Sequence, residues 1–175
     1  MVNADSRLQR LAELTSGKIT LLTCFYTYCV DPWGCPYAYW TLSGLCDRLI
    51  ADPQLARLVR FVSVSFDPTN DTPEALRRYG ARFMNDSRLE WRFLTAPSVG
   101  DLLPLLDGFG QDVQVERDAN GRPTRTINHM LKMFLIDPDG MIREIYSLAY
   151  LQQPVMLNDM RTLALEERST AVRTR

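Results

Sequence analysis

The stretch ITLLTCFYTYCVDPWGCP, Ile19 to Pro36, decides the fold. Ile19 to Tyr28 is apolar and β-prone and reads as a buried strand. A short loop bounded by Cys29 and Cys35 follows. Pro36 then fits the first turn of a helix, where the amide it lacks would have no intrahelical partner. From there to about Ile50, Tyr39, Leu42, Leu45, Cys46 and Leu49 share one helical face. Asp52-Pro53 ends the helix, and Leu55 to Leu58 adds a short helical turn.

Outward from this unit, strands and helices alternate. Leu8, Leu11 and Leu14 have helical spacing, which predicts a lead-in helix over Arg7 to Leu14, broken by Ser16-Gly17. Phe61 to Phe66 reads as a second strand, bounded by Asp67-Pro68. Asp71-Thr72-Pro73-Glu74 supplies a capping side chain and proline at N1, predicting a helix to about Phe83. Trp91 to Leu94 reads as a third strand, and Ser98 caps a helix to about Phe109. Val113–Val115 and Thr124–Ile127, on either side of Asn120-Gly121, predict a hairpin. Leu131 to Ile136 and Met141 to Tyr146, joined by the turn Asp137 to Gly140, predict another. Pro154 to Glu167 closes the chain as a helix. The order argues for an α/β sheet with helices on both faces. A first strand leading through a cysteine-containing loop into a helix is the thioredoxin arrangement.

The 175 residues fit one domain: a core over about 17–168, residues 1–16 as the lead-in helix and 169–175 as a flexible tail. Apolar content of 46% and charged content of 23% fit a soluble globular chain. A net charge of −1 implies no basic face, which argues against nucleic acid as a partner. No apolar run approaches the roughly 20 residues of a membrane span. Met1 to Gly17 has no signal-peptide core, so any targeting segment or membrane anchor is expected outside this sequence.

The four cysteines, Cys24, Cys29, Cys35 and Cys46, are too few for a disulfide scaffold. Cys24 in the strand and Cys46 mid-helix read as buried core residues. Cys29 and Cys35 flank the loop, and unpaired amides at the helix start favour thiolate at Cys35. The only histidine, His129, stands just before the apolar run Met130 to Ile136. Two thiols and an imidazole make a candidate soft-metal or redox site. Soft thiolates suit Cu(I), and an added imidazole lets the site hold Cu(II). A plain structural disulfide is the competing reading of the pair. Zinc is disfavoured, because no fourth ligand is identifiable. Asp67, where the second strand ends, either orients a ligand or turns the chain with Pro68. Asp31 is a weak ligand or an Asp-Pro turn residue, and Trp33 is a partner contact. A peroxidase reading fails, because Tyr26 and Pro32 stand where a peroxide-positioning threonine would be needed before either cysteine.

Three motifs resemble the Sco/SenC family of thioredoxin-fold copper chaperones, and they occur in that family's order. FYTYCVDPWGCP (Phe25 to Pro36) resembles its aromatic-Thr-x-Cys…Cys-Pro loop. VSFDPTNDTPEALRRY (Val64 to Tyr79) resembles its Asp-Pro-x-x-Asp-Thr-Pro element. INHMLKMFLIDPDG (Ile127 to Gly140) resembles its element of histidine, strand and Asp-Pro-x-Gly, and WRFLT (Trp91 to Thr95) its third strand. The resemblance spans roughly Gly17 to Leu165 and implies a Sco-like sheet with an inserted hairpin before the His-bearing loop. It further implies one copper ion, Cu(I) or Cu(II), held by Cys29, Cys35 and His129, with Cys29 and Cys35 as the redox-active pair. The implied partner is a cytochrome c oxidase copper-site subunit or another copper or thiol redox protein, in the periplasm or another extracytoplasmic compartment. The sequence departs from the family in three ways. Five residues separate the cysteines where three are commonest, a short helix is expected in place of the strand hairpin before the first core strand, and the family's anchor is expected outside this sequence. A thiol–disulfide oxidoreductase using Cys29 and Cys35 without metal is the alternative, and a partner-binding domain stapled by them is the third reading.

Overall fold

The computed structural model describes residues 1–173. In chain order its elements are Val2–Asn3 (β1), Leu11–Leu14 (α1), Ile19–Phe25 (β2), Cys35–Ile50 (α2), Pro53–Ala56 (α3), Val59–Ser65 (β3) and Pro73–Met84 (α4). Then follow Glu90–Thr95 (β4), Val99–Gly108 (α5), Val113–Arg117 (β5), Pro123–His129 (β6), Lys132–Ile136 (β7), Ile142–Ser147 (β8) and Gln153–Arg173 (α6). The main sheet has the order β1-β4-β3-β2-β7-β8, and β5-β6 form a separate two-stranded sheet.

Strands β2, β3 and β4 are parallel, with Phe25 level with Ser65. All seven residues of β2 are buried. That is why its sequence is a continuous apolar run with no alternation, as expected of a strand covered on both faces. β7 lies antiparallel on the other side of β2, with Thr23 opposite Met133. Its first residue therefore lies at the same sheet edge as the carboxyl ends of β2 and β3, where α/β folds form their crevices. The loop after β2, the loop after β3 and the segment before β7 meet there.

Aromatic packing fixes α4 on the sheet. Trp91 packs against Phe83, centroids 4.3 Å apart, and stacks on Phe93 at 5.2 Å, while its indole N–H donates to Ser63 Oγ at 3.0 Å. A Cβ on Gly80 would lie 2.5 Å from the Phe93 ring, so only glycine lets α4 come this close. No helix among the described residues is long and apolar enough to cross a membrane.

The fold is the thioredoxin-like α/β arrangement expected from the sequence, with three differences. Residues 1–16 are not simply a lead-in helix. The Asn3 side-chain oxygen accepts from the amides of Asp5 and Arg7, both at 2.9 Å, and this local bonding displaces helix. The chain turns back, Leu8 stays 77% exposed, and only Leu11–Leu14 is helical. Val2–Asn3 instead pairs with Thr95 and Leu94 at the sheet edge. Second, His129 is not on a separate loop but is the last residue of hairpin strand β6. Third, α6 runs past Glu167 to Arg173, so most of the expected tail is helical, and residues 174–175 lie outside the described residues.

One ion cluster ties this frame at its amino edge. Glu90 pairs with Lys18 at 3.1 Å, Arg60 at 3.0 Å and Arg92 at 2.9 Å. Burial alone would raise the Glu90 carboxyl, but the three cations hold it down at about 2, against an ordinary 4.5. A depressed acid contributes stability that is present above its unfolded pKa and lost as pH falls through the folded one. We therefore expect acid destabilisation between about pH 4.5 and 2 to be shallower in Glu90→Gln than in the parent, as read from urea midpoints across that range.

Candidate metal and redox centre

The loop between the cysteines is a closed turn. The Asp31 carboxylate accepts the Trp33 amide at 3.0 Å, and the Asp31 carbonyl accepts the Gly34 amide at 3.0 Å. Gly34 is buried and caps α2, and a Cβ there would stand 3.3 Å from Cys29 Sγ. The five intervening residues thus fold the Cys29 sulfur back over the start of α2. All four cysteines are free, and Cys29 and Cys35 hydrogen-bond to one another.

The two thiols are not equivalent. Cys29 is half-buried, whereas Cys35 is 2% exposed. Burial pushes the Cys35 thiol well above its ordinary value, and hydrogen bonds from the backbone at Tyr26 and Cys35 pull the other way without overcoming it. The thiolate expected at the helix start is therefore a protonated thiol in the metal-free protein. Cys24 and Cys46 are buried as expected, and burial pushes their thiols up to about 12 and about 11.

His129 reaches the centre from β6. Its Nδ1 is 2.9 Å from the Ile127 carbonyl, so Nδ1 carries the proton and donates. Nε2 is buried and has no hydrogen-bond partner. The ring packs on Phe66 at 4.5 Å and edge-on to Tyr26 at 6.0 Å. A cavity of about 270 Å³ is lined by Tyr26, Cys29, Asp31, Trp33, His129 and Met130 among others. Cys35 is not among the residues that line it. Among the described residues no three His, Cys, Asp or Glu side chains stand in finished metal-binding geometry. The donor set still fits a soft cation: an orphaned imidazole nitrogen and a thiol share one cavity, with a second free thiol hydrogen-bonded to the first.

The remaining expected residues divide. Asp31 is at the rim in a turn role, its Oδ1 already engaged. Trp33 is 65% exposed and leans on Tyr37, centroids 5.8 Å apart, which suits a contact surface. Asp67 is not brought to the cysteines. It accepts from the Tyr28 hydroxyl, from Asn70 Nδ2 at 2.6 Å and from two loop amides, and lines a neighbouring cavity under α5. Burial pushes its carboxyl up, but these hydrogen bonds outweigh it and hold the group below the usual range. Its role is to shape the loop after β3.

Two residues matter more than sequence reasoning gave them. Asp71, fully buried, accepts from Thr27 Oγ1 at 2.5 Å, the Thr27 amide at 3.1 Å and Ser65 Oγ at 2.5 Å. It pins the start of the cysteine loop to the end of β3, while Thr72 does the capping of α4. Tyr26 is 4% exposed, yet its hydroxyl accepts the Ile127 amide at 3.5 Å and hydrogen-bonds Cys29. Burial and that bond to Cys29 push the phenol up to about 12. It bridges the cysteine loop and the strand that carries His129.

A family model described as SCO1/SenC matches residues 2–165. The chain belongs to the SCO1/SenC family. The match starts at Val2 rather than near Gly17, in keeping with β1 being part of the sheet. Solved SCO1/SenC structures superpose over nearly the full chain. A family lipoprotein from Bacillus anthracis str. Ames is 26% identical with a TM-score of 0.74, covering 93% of this chain and 90% of its own. ScoI from Bradyrhizobium japonicum, with copper bound, is 20% identical with a TM-score of 0.73, covering 93% and 94%. BsSco, described by its disulfide switch and as a member of the Sco family of cytochrome c oxidase assembly proteins, is 24% identical with a TM-score of 0.64, covering 93% and 88%. No curated protein sequence matches the chain.

Two outcomes follow from this geometry. In the native reduced protein an alkylating reagent should label Cys29 first and Cys35 later, with Cys24 and Cys46 silent until unfolding, as resolved by peptide mass spectrometry. Asp71→Ala, which strands three donors, should cost about 3 kcal/mol in urea unfolding and loosen the cysteine loop. Loss under about 1 kcal/mol would mean that the clamp is not structural.

Proposed function

We propose that this chain is a copper-binding metallochaperone and thiol redox protein of Sco type, holding one copper ion as cargo through Cys29, Cys35 and His129. The observation that carries the reading is the buried, partnerless Nε2 of His129 on the same cavity as Cys29. With Nδ1 tied to a carbonyl, the imidazole leaves Nε2 as the nitrogen that can ligate a metal. Relatives support the cargo: one ScoI structure holds copper, and BsSco is described as a cytochrome c oxidase assembly protein. The partner is then the copper-site subunit of such an oxidase. Work outside the cytoplasm accords with the lipoprotein among its relatives.

Each residue has a stated task. Cys29, half-exposed, meets the incoming ion first. Cys35 holds its proton until the ion displaces it, so uptake releases protons and strengthens as pH rises. The Ile127 carbonyl keeps the imidazole oriented, and the Tyr26 hydroxyl hydrogen-bonds the Cys29 sulfur. When the pair is oxidised, one S–S bond replaces two S–H bonds and two electrons and two protons leave to an acceptor. The disulfide no longer offers thiolates, so redox state gates copper uptake.

A thiol–disulfide oxidoreductase remains the second reading, favoured by one observation. An accessible Cys29 backed by a buried, hydrogen-bonded Cys35 is also the layout of an attacking and a resolving thiol.

Copper titration of the reduced protein separates the two. About one equivalent should bind, with sulfur-to-Cu(II) charge-transfer absorption. His129→Ala should weaken Cu(II) by tenfold or more, roughly, and Cu(I) much less, because two thiolates suffice for Cu(I). Metal-free insulin reduction should be slow. Brisk turnover that survives His129→Ala but not Cys29→Ser or Cys35→Ser would favour the oxidoreductase.

A further inference from the structure

We propose that the Met130 thioether is a further ligand for Cu(I), on the solvent side of the site. The assignment rests on the copper-binding reading above and goes beyond it. Met130 directly follows His129 and, with Cys29 and His129, lines the 270 Å³ cavity. Its side chain is 64% exposed, as is that of Met141 in the distant turn before β8, whereas Met133, Met156 and Met160 are fully buried in the core; of the two exposed methionines only Met130 borders the cavity. Packing therefore does not account for Met130.

The backbone at this point is held. Gln111, 3% exposed, donates from Nε2 to the Met130 carbonyl at 2.9 Å. Two residues on, Lys132 Nζ donates to the Gly110 carbonyl at 2.6 Å. The turn after α5 thus holds the backbone immediately after His129, at Met130 itself. Independently, His129 Nε2 is buried without a partner beside the same cavity. Cys35, by contrast, does not reach the cavity wall.

The chemistry distinguishes the two oxidation states. A thioether is soft and neutral, so it suits Cu(I) and adds little to Cu(II). It carries no proton, so its bond to copper forms and breaks without proton transfer. On delivery, the Cu–S bond of Met130 breaks as a donor atom of the partner bonds to copper from the solvent side. That is ligand exchange, with copper remaining Cu(I) and no electron moving. Met130 is then the ligand that leaves first.

Selenomethionine-labelled, reduced protein loaded with one equivalent of Cu(I) provides the test. Selenium-edge X-ray absorption should show copper at bonding distance from one selenium, and the signal should vanish in Met130→Leu. Met130→Leu should also weaken Cu(I) about tenfold against a chromophoric chelator. Its Cu(II) affinity and its Cys29–Cys35 reduction potential should stay within about twofold and unshifted, respectively. Fully loaded protein with no copper–selenium contact, or equal Cu(I) affinity in Met130→Leu, overturns the assignment and leaves the Sco-type reading standing. Failure of the parent protein to take up copper at all overturns both. The labelled parent protein alone decides the point if the variant does not fold.

Discussion

Lys132–Ile136 lies antiparallel against Ile19–Phe25, and the site exists because of that pairing. Thr23 and Lys132, joined by a hydrogen bond, are 109 positions apart in the chain. An antiparallel neighbour reverses direction, so the residues just before β7 fall at the carboxyl end of β2. A parallel β7 would have carried His129 to the opposite edge, away from both thiols. Close packing of β2 side chains on both faces fixes the register, because a shifted strand would have to repack both. Asp71 completes the frame by tying Thr27 to Ser65, so the cysteine loop leaves from a fixed point.

The contrast between the two thiols is a competition of magnitudes. A helix start favours a negative charge by roughly 0.3–1 kcal/mol, and up to about 2 in partly buried geometry. Full desolvation shifts a buried group by up to about 3–5 pKa units, with each unit worth about 1.4 kcal/mol. At 2% exposure Cys35 falls under the second effect, and its position on α2 cannot compensate. The same arithmetic makes a metal ion the natural trigger, because only a charge brought to the sulfur offsets the cost of ionising it there.

Much of this was legible in the sequence. Apolar, β-prone runs marked β2 and β7, the β-prone stretch from Phe61 marked β3, and Thr72 with Pro73 marked the start of α4, because caps and breakers act locally. The loop cysteines and His129 stood out by residue type and by their place at element ends. Val2–Asn3 did not, since a two-residue edge strand has no periodicity and depends on β4 to exist. Asp71 was hidden inside a helix-start signal, and its inward turn is decided by Thr27 and Ser65, each more than a few positions away or on another strand. Asp67 shows the reverse: its place at the end of β3 suggested the metal site, but Tyr28 and Asn70 draw it to the neighbouring cavity. Burial of Cys35 was invisible because it comes from tertiary packing, not from the helix it opens.

The separate β5-β6 sheet has a mechanical consequence. Both thiols ride on the loop after β2 and the start of α2, whereas the imidazole rides on a hairpin whose ladder bonds are all its own. A two-stranded hairpin is marginal by itself and is steadied mainly by what it touches. Tilting that arm alters the reach of the nitrogen donor without breaking a ladder bond of the main sheet. What resists that tilt is side-chain footing: Gln111 on the Met130 carbonyl, Lys132 on the Gly110 carbonyl of the turn after α5, and the Tyr26 hydroxyl under the Ile127 amide. The imidazole is thus placed by a few polar contacts, where the thiols are placed by the loop and helix that follow β2.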